Sequence, residues 1–239
     1  MTQKPDESTV KKFYNETPEI WASYDRWHLW SRQQIQKYLD SATFPAESDI
    51  LNAGSGGNDY GIICKKMIHV DIADQKLKDI PNSVVASIES LPFQSNTFDG
   101  IVCVGSVINY CDAGAAISEL SRTAKQGAIL IIEFESSAGF EYKHTKAYGQ
   151  SAVVVTVKFQ NEQNHIQWLY SPSYIKSLLK TYDFEIEHIL PYHICSSFAL
   201  HFCKNEAKAV RFARFDNIAR YIPKIASHAN NLIFKCRKC

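Results

Sequence analysis

The chain has 239 residues, 45% of them hydrophobic, enough for one well-buried domain with a small cap. A formal net charge of +1 sets it apart from nucleic-acid binders, and no apolar run reaches the ~18 residues of a membrane span. The polar opening "MTQKPDESTVKKFYNE" lacks a signal-peptide core, and seven scattered cysteines point to reduced thiols in the cytoplasm.

In chain order, residues 17–40 read as a helix, with Trp21, Tyr24, Trp27, His28 and Ile35 at three- and four-residue spacing. "SATFPAESD" breaks that pattern. Apolar runs follow at Ile50–Ala53, Met67–Asp71, Val84–Ala86 and Gly100–Gly105. Residues 113–125 read as a helix ended by Gln126 and Gly127. The run "AILIIEF" at 128–134 has no alternation, which predicts a strand buried on both faces. "SAVVVTVKF" and "HIQWLYS" form an expected hairpin through "QNEQN". "SPSYIKSLLKTYDFEIEHIL" reads as helix, turn and strand, with Ser171 or Ser173 as cap and Pro172 in the first turn. Residues 205–228 read as a helix interrupted at Pro223, and "NLIFKCRK" as a last strand. Cys236 and Cys239 have C-x-x-C spacing with no second ligand pair nearby, so the expectation is an ordinary frayed end. No repeat or linker divides residues 1–239, which form a single domain.

Buried strands separated by helical stretches predict a doubly wound α/β fold around a parallel sheet. In such sheets ligands bind at the carboxyl ends of the strands. The turn "ILNAGSGGNDYG" lies there. Gly54, Gly56 and Gly57 let backbone approach a ligand closely. Asp71 closes the second strand in "IHVDIAD", where a carboxylate can accept both hydroxyls of a ribose. A dinucleotide site would want a third glycine where Asp59 stands, which disfavours a pyrophosphate.

Together "ILNAGSGG", "HVDIAD", "VVASIESLPFQSNTFDGIVCVGSVINY" and "AISELSRTAKQGAILIIEF" resemble the ordered motifs of class I S-adenosylmethionine-dependent methyltransferases of the small-molecule type. The likeness covers about residues 48–135 closely, and "WLYSPSYIKSLLKTYDFEIEHI" fits the family's late helix and strand. It implies a Rossmann-like, seven-stranded, mostly parallel sheet with helices on both faces and a small helical cap. Residues 1–45 would be an N-terminal helical cap segment and 46–135 the cofactor-binding core. Residues 136–230 would supply substrate-side loops, hairpin and cap helix, and 231–239 the last strand.

The resemblance also implies S-adenosyl-L-methionine as cofactor. Gly54, Ser55 and Gly56 would wrap its methionine moiety, with Val104 and the Gly105 backbone near that end. Asp71 would hold the ribose and Ile72 would pack on the adenine. Ser87, Ile88 and Glu89 would edge the adenine, and Tyr14 would close the pocket. Asn52 stands where the family usually has Asp or Glu facing the cofactor's ammonium group, a loss worth about 1 kcal/mol. Ser87 replaces a frequent Asp. Only 18 residues separate Asn52 from Asp71, so the first crossover helix should be short.

Methyl transfer asks the protein mainly to align acceptor and cofactor away from water. Candidate acceptor-side residues come from the N-terminal segment (Tyr14, Trp21, Tyr24, His28, Arg32) and the loop after the fourth strand (Ser106, Asn109, Tyr110). The loop after the fifth strand adds Glu135, Tyr142 and His144. His144, Tyr24 and Asn109 are the catalytic candidates, with His144 a potential base. His193 and His201 flank the apolar stretch before the cap helix. No metal site is expected. The expected activity is methylation of a small metabolite in a capped pocket. The alternatives are a peptide- or protein-modifying methyltransferase and a non-catalytic binding protein on the same fold. Neither nucleic acid nor a membrane span is expected, and the sequence leaves the oligomeric state open.

Overall fold

The computed structural model describes residues 5–42, 44–159 and 163–239. Nine strands appear among them: β1 (Asp49–Ala53), β2 (Lys66–Asp71), β3 (Ser83–Val85), β4 (Phe98–Cys103), β5 (Ala124–Glu135), β6 (Ala152–Phe159), β7 (Gln163–Tyr170), β8 (Phe184–Tyr192) and β9 (Asn231–Lys238). Seven form one sheet in the order β3-β2-β1-β4-β5-β9-β8, while β6 and β7 pair as a separate antiparallel hairpin. Within the large sheet only β9 runs against its neighbours β5 and β8. The connection at 160–162, within the expected "QNEQN" turn, lies outside the described residues.

Strand residues alternate between two cores, as a period of two requires. Ile50, Val102, Ile131 and Ile233 pack against Ile35, Tyr38 and Leu39 of α2 (Arg26–Ser41, following α1 at Glu7–Glu16). Leu51, Ile101, Leu130 and Phe234 face the other way. They meet Ile117 and Leu120 of α3 (Ala113–Thr123) and Ile175 and Leu179 of α4 (Pro172–Thr181). Both faces are covered, which is why the central strands read as continuous apolar runs. Cutting a fully buried side chain such as Ile35 to alanine would cost about 2–5 kcal/mol.

Local chemistry sets the helix starts. Asp25 accepts the His28 amide at 3.1 Å, Asp112 accepts those of Gly114 and Ala115, and Ser171 accepts that of Tyr174, with Pro172 in the first turn.

Several boundaries differ from expectation. The helix expected over 17–40 begins only at Arg26, because Asp25 caps it; Trp21 and Tyr24 stand on the irregular segment before it. Helix α1 was missed, although Asp6 caps it by accepting the Thr9 amide. No helix joins β1 to β2: residues 54–65 cross over as turns. Gln126 and Gly127 do not end α3 but lie inside β5, beside a register shift between Phe98 and Gly100. The expected helix over 205–228 is a chain of short pieces. After α5 (Cys195–Cys203) come α6 (Glu206–Ala209), a 3-10 turn at Val210–Phe215, α7 (Asp216–Ala219) and α8 (Pro223–Ala226). The carboxyl end is not frayed either. Cys236 is buried within β9, and the Cys239 amide donates to the Asp183 carbonyl at 2.8 Å. All seven cysteines are free thiols.

Candidate functional site

Two adjoining cavities open at the carboxyl ends of β1, β2, β4 and β5. The first, about 200 Å³, is bounded by Gly54 after β1, Asp71 and Ile72 after β2, and Ser87, Ile88 and Glu89 after β3. Val104 and Gly105 after β4 line it too, as do Tyr14 and Trp21 of the N-terminal segment.

The glycine turn is built to sit over β2. The amides of Gly54 and Ser55 both donate to the Val70 carbonyl, at 2.8 and 3.0 Å. Gly54 has φ +75°, and a Cβ there would lie 2.3 Å from Val107, so only glycine fits. Asp71 Oδ2 accepts the Gly56 amide and Oδ1 accepts the Ala73 amide, each at 2.8 Å. Burial raises the Asp71 pKa, and those amides oppose the rise. Each oxygen keeps a lone pair for a ligand.

Of the eleven residues expected to meet the cofactor, Tyr14, Gly54, Asp71, Ile72, Ser87, Ile88, Glu89 and Val104 line this one cavity. Three do not. Asn52 is fully buried behind the turn, where Nδ2 donates to the Asn58 carbonyl at 2.6 Å. Its side chain therefore braces the turn from within and does not face an ammonium group in the cavity. Ser55 is buried and its Oγ accepts the Gly57 amide, while Gly56 is tied to Asp71. Tyr60 and Lys76 also line the cavity and were missed. Tyr60 comes from the helix-free crossover. Lys76 Nζ reaches the Thr17 and Pro18 carbonyls and pins the N-terminal segment over the opening.

The second cavity, about 350 Å³, shares Tyr14, Ile20, Trp21, Gly105 and Tyr110 with the first. Four glutamates line it: Glu133, Glu135, Glu141 and Glu206. Glu133 is fully buried at the end of β5 and is saturated with donors. It accepts the amides of Gly105 (3.0 Å) and Ser106 (2.6 Å), the Tyr192 hydroxyl (2.7 Å) and Asn231 Nδ2 (2.8 Å). It thereby fixes the loop after β4, where Ser106 has φ +57°. Glu135 accepts the Tyr142 hydroxyl and Gln167 Nε2 (2.7 Å). Glu141 Oε1 accepts Asn230 Nδ2 at 2.6 Å, while its Oε2 has no donor among the described residues. Burial and the neighbouring Glu135 charge push the Glu141 pKa well above its ordinary value. His28 bonds Asp25 at 2.7 Å; burial pulls its pKa down, but the Asp25 carboxylate outweighs that and the net shift is upward. Burial lowers His165 to about 4, so it is neutral beside the Tyr110 hydroxyl.

The structure does not bring the three catalytic candidates together. His144 is exposed at φ +72°, outside both cavities, with its ring near that of His201. Tyr24 is 68% exposed and lines neither cavity. Asn109 is buried and fully engaged with backbone: Nδ2 donates to the carbonyls of Glu135 and Trp168, and Oδ1 accepts the Glu135 amide. It holds β5 to β7 and has nothing left for an acceptor. Trp21, His28, Ser106, Tyr110, Glu135 and Tyr142 do line the second cavity, and Arg32 does not. His193 is buried, stacked on Trp27 at 3.8 Å and bonded to Ser31 and Ser196. Among the described residues no group of three or more His, Cys, Asp or Glu is placed to hold a metal ion.

Comparison with known proteins agrees with this geometry. A family profile described as "Methyltransferase domain" matches residues 53–132. A curated, uncharacterised protein of Methanocaldococcus jannaschii is 26% identical over 133 residues, covering 51% of this chain and 50% of that protein. The chain thus spans about half the length of the curated relative it matches. Among solved structures, the [4+2]-cyclase SpnF superposes with TM-score 0.60 at 15% identity, covering 100% of this chain and 98% of that one. A Burkholderia thailandensis 1,6-didemethyltoxoflavin N1-methyltransferase, solved with its substrate and S-adenosylhomocysteine, gives 0.55 at 12% identity, covering 97% and 86%. A Thermotoga maritima S-adenosylmethionine-dependent methyltransferase gives 0.57 at 17% identity, covering 97% and 99%. With its sheet order and a cavity at the strand ends, the chain has the fold of these S-adenosylmethionine-dependent methyltransferases, and its residues 53–132 match the methyltransferase-domain family.

Proposed function

We propose that the chain methylates a nitrogen of a small cationic amine. The cofactor would lie in the first cavity and the amine in the second. The observation that carries this reading is the shared wall of the cavities. Tyr14, Ile20, Trp21, Gly105 and Tyr110 border both, so a cofactor held in the first cavity would adjoin a molecule in the second. The second cavity sets four glutamates against Lys204 and His28, and Trp21 and Trp27 line it. Carboxylates and aromatic rings together suit an ammonium group better than a carboxylate or phosphate. A cavity of about 350 Å³ suits a small molecule better than a peptide. The Burkholderia neighbour also methylates nitrogen, although at that identity it supports the fold alone.

The residues of the first cavity fit the cofactor. Asp71 offers a carboxylate to a ribose diol, and Gly54 borders the cavity with no side chain, held close against Val107. When bound, S-adenosylmethionine supplies an electrophilic methyl on sulfur. The chain aligns the amine, excludes water and takes the proton that nitrogen must lose. Glu135, fixed by Tyr142 and Gln167, is placed to hold the amine. Glu141 is the proton acceptor: its Oε2 has no donor among the described residues, and burial beside Glu135 raises its affinity for a proton. Tyr14 and Trp21 form the lid of a capped pocket. The free thiols fit a reducing, cytoplasmic setting.

The test is transfer of labelled methyl from S-adenosylmethionine to a panel of small amines beside matched alcohols and carboxylic acids. The reading expects label on amines. Label only on alcohols or acids would overturn the acceptor class. No turnover despite cofactor binding would favour a different chemistry on the fold, as in the neighbouring cyclase.

A further inference from the structure

The cap between Cys195 and Ala229 carries its apolar side chains outward. Among the described residues, every exposed large hydrophobic side chain except Tyr24, Ile63 and Val85 lies on this segment. Its inward positions are small: Ala209, Ala213 and Ala219 are buried, with Val210 beside them. Its outward positions are large: Phe212, Phe215, Ile218 and Tyr221 recur every third residue. In the 3-10 turn Val210–Phe215 that spacing puts Phe212 and Phe215 on one face, with ring centroids 6.4 Å apart. Phe198 and Phe202 of α5 extend the exposed set, with ring centroids 5.1 Å apart.

Cations are interleaved with this stripe. The segment holds Lys204, Lys208, Arg211, Arg214, Arg220 and Lys224 against only Glu206 and Asp216. Asp216 is buried, accepting the amides of Ile194 and Cys195; Lys204 and Glu206 both line the second cavity, and the exposed Lys208, Arg211, Arg214 and Lys224 outnumber Glu206. The outer surface is therefore positive, on a chain whose formal net charge is only +1. The Arg214 guanidinium sits 4.8 Å from the Phe215 ring, keeping a cation at the level of the apolar stripe.

A contiguous apolar surface of this kind marks an interaction site. Its charge decides the occupant. A second copy would set these cations against themselves. A surface mixing aromatic rings and isoleucines with Lys and Arg is that of an interfacial helix on anionic lipid. We propose that the Cys195–Ala229 cap docks the protein on an anionic lipid membrane. Phe202, Phe212, Phe215, Ile218 and Tyr221 enter the headgroup region, and Lys and Arg meet the lipid phosphates. Leu200 and Lys204, on the same segment, line the second cavity, so docking brings that cavity to the membrane surface. The proposal is independent of the acceptor's identity.

The test uses the full chain with two sets of vesicles, phosphatidylcholine alone and phosphatidylcholine with phosphatidylglycerol in roughly equal parts. The protein should sediment with the mixed vesicles, stay in solution with the neutral ones, and be released by salt near ~1 M. Arg211→Gln with Arg214→Gln should lower partition about 25-fold, at about fivefold per cation. Phe212→Ser with Tyr221→Ser should abolish it while the thermal melt is unchanged. No binding to mixed vesicles would overturn the proposal. So would equal binding to both vesicle types, or binding that neither double variant weakens. A concentration-dependent dimer lost in the serine variant, without vesicle binding, would assign the surface to a second copy instead.

Discussion

The Asp71 carboxylate accepts the Gly56 amide at 2.8 Å, so the acid that faces the first cavity also closes the glycine turn. Binding and local folding are joined in one side chain. Asp71→Ala leaves the part-buried amides of Gly56 and Ala73 without acceptors, a loss of about 1–3 kcal/mol. The melting temperature should fall by several degrees, at roughly 2–4 °C per kcal/mol for a chain of this size. An unchanged melt would show that the turn closes without Asp71.

Asn52→Asp separates two readings of the turn. A carboxylate facing the cofactor's ammonium would hold or improve affinity. The structure instead buries Asn52 with Nδ2 donating to the Asn58 carbonyl. Aspartate would lose that donor and set a buried charge against a carbonyl oxygen. We expect a loss of about 2–4 kcal/mol in denaturant unfolding and no gain in cofactor affinity by calorimetry.

Glu141→Gln should stabilise and slow the protein at once. Glu141 faces Glu135, Glu206, Tyr142 and Asn230, and its folded pKa lies above the ordinary 4.5. The folded state therefore holds that proton more tightly than the unfolded chain. This contribution to stability is complete below about pH 4.5 and is lost as pH rises through the raised value. The glutamine variant has no such loss, so its melting temperature should gain on the wild type as pH rises above 4.5. Turnover should fall about 10²-fold, as expected when a proton acceptor is removed. Melts across pH, paired with initial rates, check both halves.

Gly54→Ala puts a methyl group 2.3 Å from Val107 at a φ of +75°. Strain and overlap together should cost about 2–5 kcal/mol. Because Gly54 borders the first cavity, cofactor affinity should fall as well. Far-ultraviolet circular dichroism with calorimetry follows the two effects separately.

Much of the sheet was legible because burial on both faces leaves continuous apolar runs. Residues 128–134 and "NLIFKCRK" read as strands for that reason, and both lie in the sheet. The glycine turn and Asp71 were legible because close backbone approach and a strand-end acid leave few residue choices. Helix α1 was hidden behind its polar composition, although Asp6 and the spacing of Val10, Phe13 and Tyr14 carried a signal. The burial of Asn52 behind the turn was not legible, because strand position does not tell which side of a turn a side chain supports. Glu133 looked like one polar residue inside an apolar strand. Its role needs Tyr192 and Asn231, some sixty and a hundred residues away, which only the folded sheet brings together. The second cavity draws on α2, β5, β7 and the cap, so no local motif announces it.

On the proposed reading, the first cavity holds S-adenosylmethionine with its ribose on Asp71. Calorimetric titration of S-adenosylhomocysteine into the wild type and Asp71→Ala, at a temperature where melts show both folded, tests it directly. Binding to the wild type and at least about 30-fold weaker binding to the variant are expected, from a lost charged contact of about 2–5 kcal/mol. Equal affinity in the two folded proteins would place the cofactor elsewhere and contradict the account.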